Sequence, residues 1–304
     1  MDLKMLQAFV ILAEELHFTR AAERLGVAQP LVSQRIRRFE AELGHHVVER
    51  TTRAVKLTPA GEAALPHAQR AVESSRLMVR AAEQEGAPVL GSVVLGYAGA
   101  SSRPWLPAIA RAVRREAAGV DLRLRSMVYA GSAPSLVAAG DLDIAFGRRP
   151  LTYTGLADRV FEYERVLVGV SSDHRLAGLR QIEIEDLAHQ PWVMFPAQQG
   201  SSVRDMGLRL ASRAGFTPSI AQEAPDSYTI LGLVAAGVGI TLTVSSVAHV
   251  ETPGLVLVPL AGPPRYLTAT LLHRRKVTPA TRAVLDVVAA LHPEPQRPVG
   301  LVLD

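Results

Sequence analysis

The chain has 304 residues, 48% of them hydrophobic, and 33 Lys and Arg against 29 Asp and Glu give a formal charge of +4. This length exceeds what one hydrophobic core usually organises, so two or three domains are expected, and the small positive charge favours an anionic partner only weakly. With no cysteine, disulfide staples, thiolate metal sites and a cysteine nucleophile are excluded, which fits a reducing cytoplasm.

Met1-Asp2-Leu3-Lys4 runs straight into an amphipathic pattern rather than a signal peptide. No apolar run is long enough to span a bilayer, so a cytosolic protein without a membrane partner is expected. Leu3, Leu6, Phe9, Val10, Ala13 and Leu16 recur at three- and four-residue spacing and predict a first helix with one buried face. Phe18-Thr19 offers a cap for a short second helix from Arg20 to Leu25, stopped by Gly26. Pro30 sits in the first turn of a third helix, whose inward residues are Val32, Ile36, Phe39 and Leu43 and which ends at Gly44. A short helix, a tight turn and a second helix form a helix-turn-helix.

Val47 to Leu57 predicts two short strands around Arg50-Thr51-Thr52-Arg53, a β-wing. Pro59 then opens an alanine-rich helix to about Gln84, closed by Glu85-Gly86-Ala87-Pro88. Its stripe Leu65, Ala68, Val72, Leu77 and Val79 suits pairing with a second copy, so a homodimer is expected.

Beyond Pro88 strands alternate with helices. Strands are predicted at Ser92 to Tyr97, Val120 to Met127 and Leu142 to Phe146, with helices near Pro107 to Glu116 and Ser135 to Ala139. A second run starts near Arg165 and includes strands at Val166 to Val170, Trp192 to Phe195 and Ile240 to Val244. Its helices are Ser202 to Ala214 and Ser227 to Ala236. Tyr266 to His273 and a helix from Pro279 to Leu291 rejoin the first lobe. This predicts α/β lobes with a largely parallel sheet and a cleft between them. The expected domains are 1–58, the winged helix-turn-helix; 59–88, a linker helix and hinge; and 89–304, an effector-binding domain. Its first lobe spans about 89–164 and 265–304, and its second about 165–264.

With Val32 and Ile36 inward, the third helix projects Pro30, Ser33, Gln34, Arg37 and Arg38 outward, with Gln29 beside them. Gln pairs bidentately with adenine and Arg with guanine, so this face can read the major groove. An ordinary solvated face would look similar without the turn before it. From Arg20 to Lys56 the bases are Arg20, Arg24, Arg35, Arg37, Arg38, Arg50, Arg53 and Lys56, against Glu23, Glu40, Glu42 and Glu49. Arg53 at the wing tip is placed to enter a narrow minor groove.

In the second domain Ser101-Ser102, Gly131-Ser132 and Gly200-Ser201-Ser202 fall at predicted helix starts, where free N–H groups suit a carboxylate. Arg148 adds a bidentate partner for the same anion, against the alternative of an interlobe or subunit salt bridge. Most such serines are simply helix caps. Gly237-Val238-Gly239 lacks the dinucleotide fingerprint, no serine sits in a nucleophile elbow, and the nine histidines have no ligand spacing. No cofactor, metal or catalytic residue is assigned.

Phe9, Ala21-Ala22-Glu23-Arg24-Leu25, Gln29-Pro30, Ser33, Ile36, Glu40, Leu43-Gly44, Glu49-Arg50 and Leu57-Thr58-Pro59-Ala60-Gly61 together resemble the LysR-type transcriptional regulators, in order and at matching spacing. Gly96-Tyr97-Ala98-Gly99, Asp143 to Arg148 and Leu233 to Gly237 resemble the regulators of aromatic-compound catabolism. The fold this implies is α/β with an N-terminal winged helix-turn-helix and a two-lobed, periplasmic-binding-protein-like effector domain.

The implied function is a sequence-specific regulator, dimeric or tetrameric, on an inverted-repeat operator, modulated by a small, anionic effector, with RNA polymerase a further partner. The alternative is a small-molecule-binding protein or enzyme on the two lobes. DNA contacts are expected from Gln29, Pro30, Ser33, Gln34, Arg37, Arg38 and Arg53. Effector contacts are expected from Ala100, Ser101, Ser102, Ala130, Gly131, Ser132, Arg148, Phe195, Gln198, Gly200, Ser202 and Asp226. The chain departs from the family pattern at Ala100 and Ala130, where relatives place effector-touching hydroxyls, and at Ala28, where many place a Ser or Thr cap.

Overall fold

The computed structural model describes residues 1–50, 55–82, 89–151, 153–299 and 302–303. The chain forms two compact units, Met1–Ala87 and Pro88–Asp304. No helix among the described residues is long and apolar enough to cross a membrane.

The first unit comprises α1 (Leu3–Glu15), α2 (Phe18–Leu25), α3 (Gln29–Leu43), β1 (Val48–Arg50), β2 (Val55–Leu57) and α4 (Pro59–Ala82). Asp2 accepts from Met5 N (2.9 Å) to cap α1. The cap of α2 is His17, whose Nδ1 accepts from Thr19 and Arg20 N–H, so α2 starts at Phe18, before the sequence expectation. Gly26 and Gly44 end α2 and α3 at φ 65° and 76°, the left-handed region where a side chain is strained. Met5, Phe9, Leu12, Ala21, Ala22, Val32, Ile36 and Phe39 close one core, with the Phe9 and Phe39 rings 5.0 Å apart. β1 and β2 pair antiparallel, Val48 opposite Leu57.

Ala68 and Val72 of α4 are buried in this same core. They are thereby used inside the chain rather than offered to a second copy, because one side of α4 packs on α1. The side chains of Leu77 and Val79 lie outside the described part.

The second unit runs β3 (Gly91–Gly96), α5 (Gly99–Ser102), α6 (Leu106–Glu116), β4 (Val120–Arg125), α7 (Ala133–Ala139), β5 (Ile144–Arg148), β6 (Leu156–Ser171) and β7 (Pro191–Met194). It continues with α8 (Ser202–Arg213), β8 (Ser219–Glu223), α9 (Ser227–Ala235), β9 (Thr241–Val244), β10 (Leu255–Pro259), β11 (Arg265–Arg274), α10 (Pro279–Leu291) and β12 (Val302–Leu303).

Among the described residues the main sheet has the order β10-β6-β11-β5-β3-β4, with β9 also on β6 and β12 on β11. It is mixed, not largely parallel. β3 runs parallel to β4 and β5, but β11 runs antiparallel to both β5 and β6. The reason is β6, a single strand of 16 residues. Its first half pairs with β11 and its second half with β9 and β10, so it passes from one core into the other. Val93, Leu95, Ile109, Ile144, Val284 and neighbours fill the first. Val168, Trp192, Met206, Leu231 and Leu242 belong to the second.

Candidate DNA interface and effector cleft

α3 begins at Gln29 after Ala28, which gives no side-chain cap, so the first N–H groups of α3 find no side-chain partner at the cap. Val32 and Ile36 are fully buried, while Gln29, Pro30, Gln34, Arg37 and Arg38 are exposed. Arg37 Nε donates to Ser33 O (3.3 Å), and Arg38 lies 3.4 Å from Glu42 on the same helix.

Ser33 departs from its expected outward placement: it is only 8% exposed. Gln29, one turn earlier, donates its Nε2 to the Ser33 hydroxyl (3.0 Å) and covers it, as residues four apart on a helix do. A base can meet Ser33 only if Gln29 swings away. Arg24, counted above among the basic residues, is held by α1 carboxylates, Glu14 at 2.7 Å and Glu15 at 3.1 Å. Arg53 lies outside the described residues.

Sequence reasoning named Glu40 among the acids and the family-like residues but gave it no structural role. Its side chain is buried on the inner side of α3, and its Oε1 accepts from Val47 N (2.9 Å) and Val48 N (3.3 Å) at the root of β1. A carboxylate seven residues before two N–H groups gives no periodic signal, which is why pattern reading missed it. Glu40→Ala should remove the acceptor these N–H groups share and loosen the wing by about 1–3 kcal/mol. Glu40→Gln, which keeps an acceptor, should recover most of that loss in thermal unfolding.

In the second unit, Tyr129 and Phe195 meet edge to face at 6.1 Å, and the Tyr129 hydroxyl donates to Pro225 O. The Gly131 N–H donates to Gly200 O at 2.9 Å. A Cβ on Gly131 would lie 2.8 Å from Gly200 Cα, so only glycines allow the approach. These contacts span a cleft with about 760 Å³ of atom-free space, open solvent included. Of the expected effector residues, Ser102, Ala130, Arg148, Phe195 and Ser202 line it, together with Phe146, Phe161, Glu162, Glu164 and Ala269.

Several expected contacts are placed otherwise. Gly131 and Gly200 do not line this cleft; they close on each other, and the Gly131 N–H offered to a ligand is taken by Gly200 O. With Arg148 and Ser202 both also border a neighbouring depression. Ser102 ends the single turn α5 and stands at the start of a 3-10 turn over Arg103–Trp105, but its hydroxyl bonds back to Ala98 O (2.7 Å) and caps no N–H there. Ser132 bonds back to Tyr129 O (3.1 Å), and Asp226 caps α9 through Thr229 N (3.0 Å). Gln198 is exposed and away from the cleft lining. The side chains of Ala100 and Ser101 lie outside the described part. Ser201 caps α8 by accepting from Arg204 N, which leaves Ser202 at the first turn facing the cleft.

Arg148 is not a free cation. It is the last residue of β5 and pairs with Glu164, whose side chain is only 1% exposed, and Ser246 donates to the same carboxylate. Within the cleft wall, burial pushes the Glu162 carboxyl up to about 7; the Glu164 charge adds to the rise and Arg148 opposes it.

Comparison with known proteins assigns the two units to known families. Residues 3–62 match the model described as "Bacterial regulatory helix-turn-helix protein, lysR family", and residues 86–292 match "LysR substrate binding domain". The chain is 36% identical over 260 residues to the HTH-type transcriptional regulator ShiR of Corynebacterium glutamicum (strain R), covering 86% of this chain and 88% of that one. It is 33% identical over 246 residues to the regulator AlsR of Bacillus subtilis (strain 168), covering 81% of each. Full-length CbnR, crystallised with its target DNA, superposes with a TM-score of 0.68 at 25% identity, over 95% of this chain and 99% of CbnR. Full-length BenM superposes at 0.59 and 25% identity, over 98% and 100%. This chain belongs to the LysR family: it is a DNA-binding transcription regulator with an effector-binding domain, and not an enzyme.

Proposed function

We propose that the chain acts in the cytoplasm as a homodimer or tetramer on an inverted-repeat operator, reading bases with the exposed face of α3. Gln29, Pro30, Gln34, Arg37 and Arg38 supply base and phosphate contacts. Ser33 joins them once Gln29 turns to the DNA, and Arg53 of the wing enters the minor groove. The observation that carries this reading is the split of α3, with Val32 and Ile36 fully buried and Gln34, Arg37 and Arg38 exposed on the opposite side.

The effector is a small molecule with a carboxylate, seated in the cleft of the second unit with its anionic end at the first turn of α8, near Ser202 and Arg148. The operator reading is supported by CbnR, which was crystallised with its target DNA. Effector and operator affinities then depend on each other through linkage.

The test is anisotropy of a labelled duplex from upstream of the chain's own gene. Affinity should fall by on the order of 10³-fold between about 50 and 200 mM salt, and Arg38→Ala should reduce the salt slope by roughly one per bound subunit. Absence of binding at every salt concentration contradicts the reading.

A further inference from the structure

The register of three strands sets two opposite charges at the two sides of one small residue. Ala269 of β11 pairs with Arg148 of β5 on one side and with Glu162 of β6 on the other. Directly opposed residues share a face of the sheet, so all three side chains point the same way, and all three line the cleft. Arg148 and Glu162 stand two strand spacings apart, roughly 9–10 Å between backbones, and Arg148 reaches over β11 to Glu164, which lies two residues from Glu162 on the same strand. The cleft above this row suits one small ring. Phe146, Phe161, Phe195 and Tyr129 supply its apolar walls.

Charge in the cleft is lopsided. Among the described lining residues the ionisable groups are Arg148, Glu162, Glu164 and Tyr129, and Arg148 is already paired with Glu164. Glu162 makes no ion pair among the described residues, and its carboxyl is held up near 7 by burial and by Glu164. A second carboxylate from a ligand would meet two acids here; a hydrogen-bond donor would relieve the unpartnered one.

Resting on the reading of this cleft as the effector site, we propose that Glu162 selects the effector, which is an acid carrying, away from its carboxylate, a hydroxyl or ammonium group that donates to Glu162. Glu162 thus sets specificity by accepting a donor and by repelling a diacid.

The test is calorimetry on the full chain at about pH 8, where Glu162 is ionised, with three probes of one ring size: para-hydroxybenzoate, para-(aminomethyl)benzoate and terephthalate. At least one donor-bearing probe should bind about tenfold or more tightly than terephthalate, as a hydrogen bond to a charged acceptor implies. Which of the two donors wins identifies the group. Glu162→Gln should shrink the preference to within about threefold.

Terephthalate binding as well as the donor probes, a preference unchanged in Glu162→Gln, or no binding by any probe at millimolar concentration would overturn the inference. Ser202→Trp, which fills the cleft, separates the two levels. Binding untouched by Ser202→Trp refutes the cleft as effector site. Binding lost in Ser202→Trp but ranked alike in wild type and Glu162→Gln refutes only the role of Glu162.

Discussion

Replacing Gln34 and Arg37 together by Ala is expected to weaken binding to the native operator by on the order of 10²-fold per half-site. Each bidentate base contact contributes about 1–3 kcal/mol of discrimination, and the two residues sit three apart on one exposed face of α3. Arg37 is already aimed by its bond to the Ser33 carbonyl, so little ordering is lost when it meets a base. On a scrambled duplex of equal length the same variant should lose far less, because only one phosphate-attracting charge is gone. Unfolding should move by less than about 0.5 kcal/mol, since both side chains are exposed.

Arg24→Ala provides a contrast. Its guanidinium is bound to Glu14 and Glu15, and its removal should change operator affinity only slightly. Paired anisotropy titrations on operator and scrambled duplex measure all of this. Equal losses on both duplexes would make α3 a mere charge and not a reader.

The second large effect concerns the heart of the effector domain. Glu164→Ala should destabilise that unit by about 3–5 kcal/mol in urea unfolding, because it leaves Arg148 unpaired in a site where its side chain is only 15% exposed. It also removes the acceptor of the Ser246 hydroxyl. The double variant Arg148→Met/Glu164→Leu should regain most of the loss, since replacing a buried pair by apolar groups of similar volume is close to neutral. Its effector response should nonetheless be lost, as the cleft then has no guanidinium at the α8 end. A Glu164→Ala variant as stable as wild type would show that the pair is not the internal tie described here.

The DNA-binding unit was largely legible because its signals are local. The periodic spacing of Leu3 to Leu16 and Val32 to Leu43, with Gly26 and Gly44 as stops, depends only on neighbours three and four residues away. Ser33 was misplaced because a helical wheel counts angles and not the reach of Gln29 over it. In the second unit β6 was read from Val166, but it starts at Leu156. Asp158, Arg159, Glu162 and Glu164 break the apolar pattern there, and the partners that permit them, such as Arg149 for Asp158 and Arg148 for Glu164, come from elsewhere in the chain.

β8 was missed for a related reason: its five residues are all exposed, so it shows no alternation. The antiparallel place of β11, and with it the row Arg148, Ala269, Glu162, is fixed by pairing across more than a hundred residues. No reading of local pattern reaches that far. Arg148 does line the cleft, but the salt bridge it makes, to Glu164, falls within the expected first lobe and is neither of the interlobe or subunit bridges that were its alternative.

The most direct measurement is photocrosslinking of the full chain, with a photoreactive side chain at position 34, to duplex DNA from upstream of its own gene. The account predicts adducts on bases read from the major groove, repeated in two inverted half-sites and abolished by competing operator. Adducts formed only with protein, or scattered along the duplex without a half-site pattern, would contradict it.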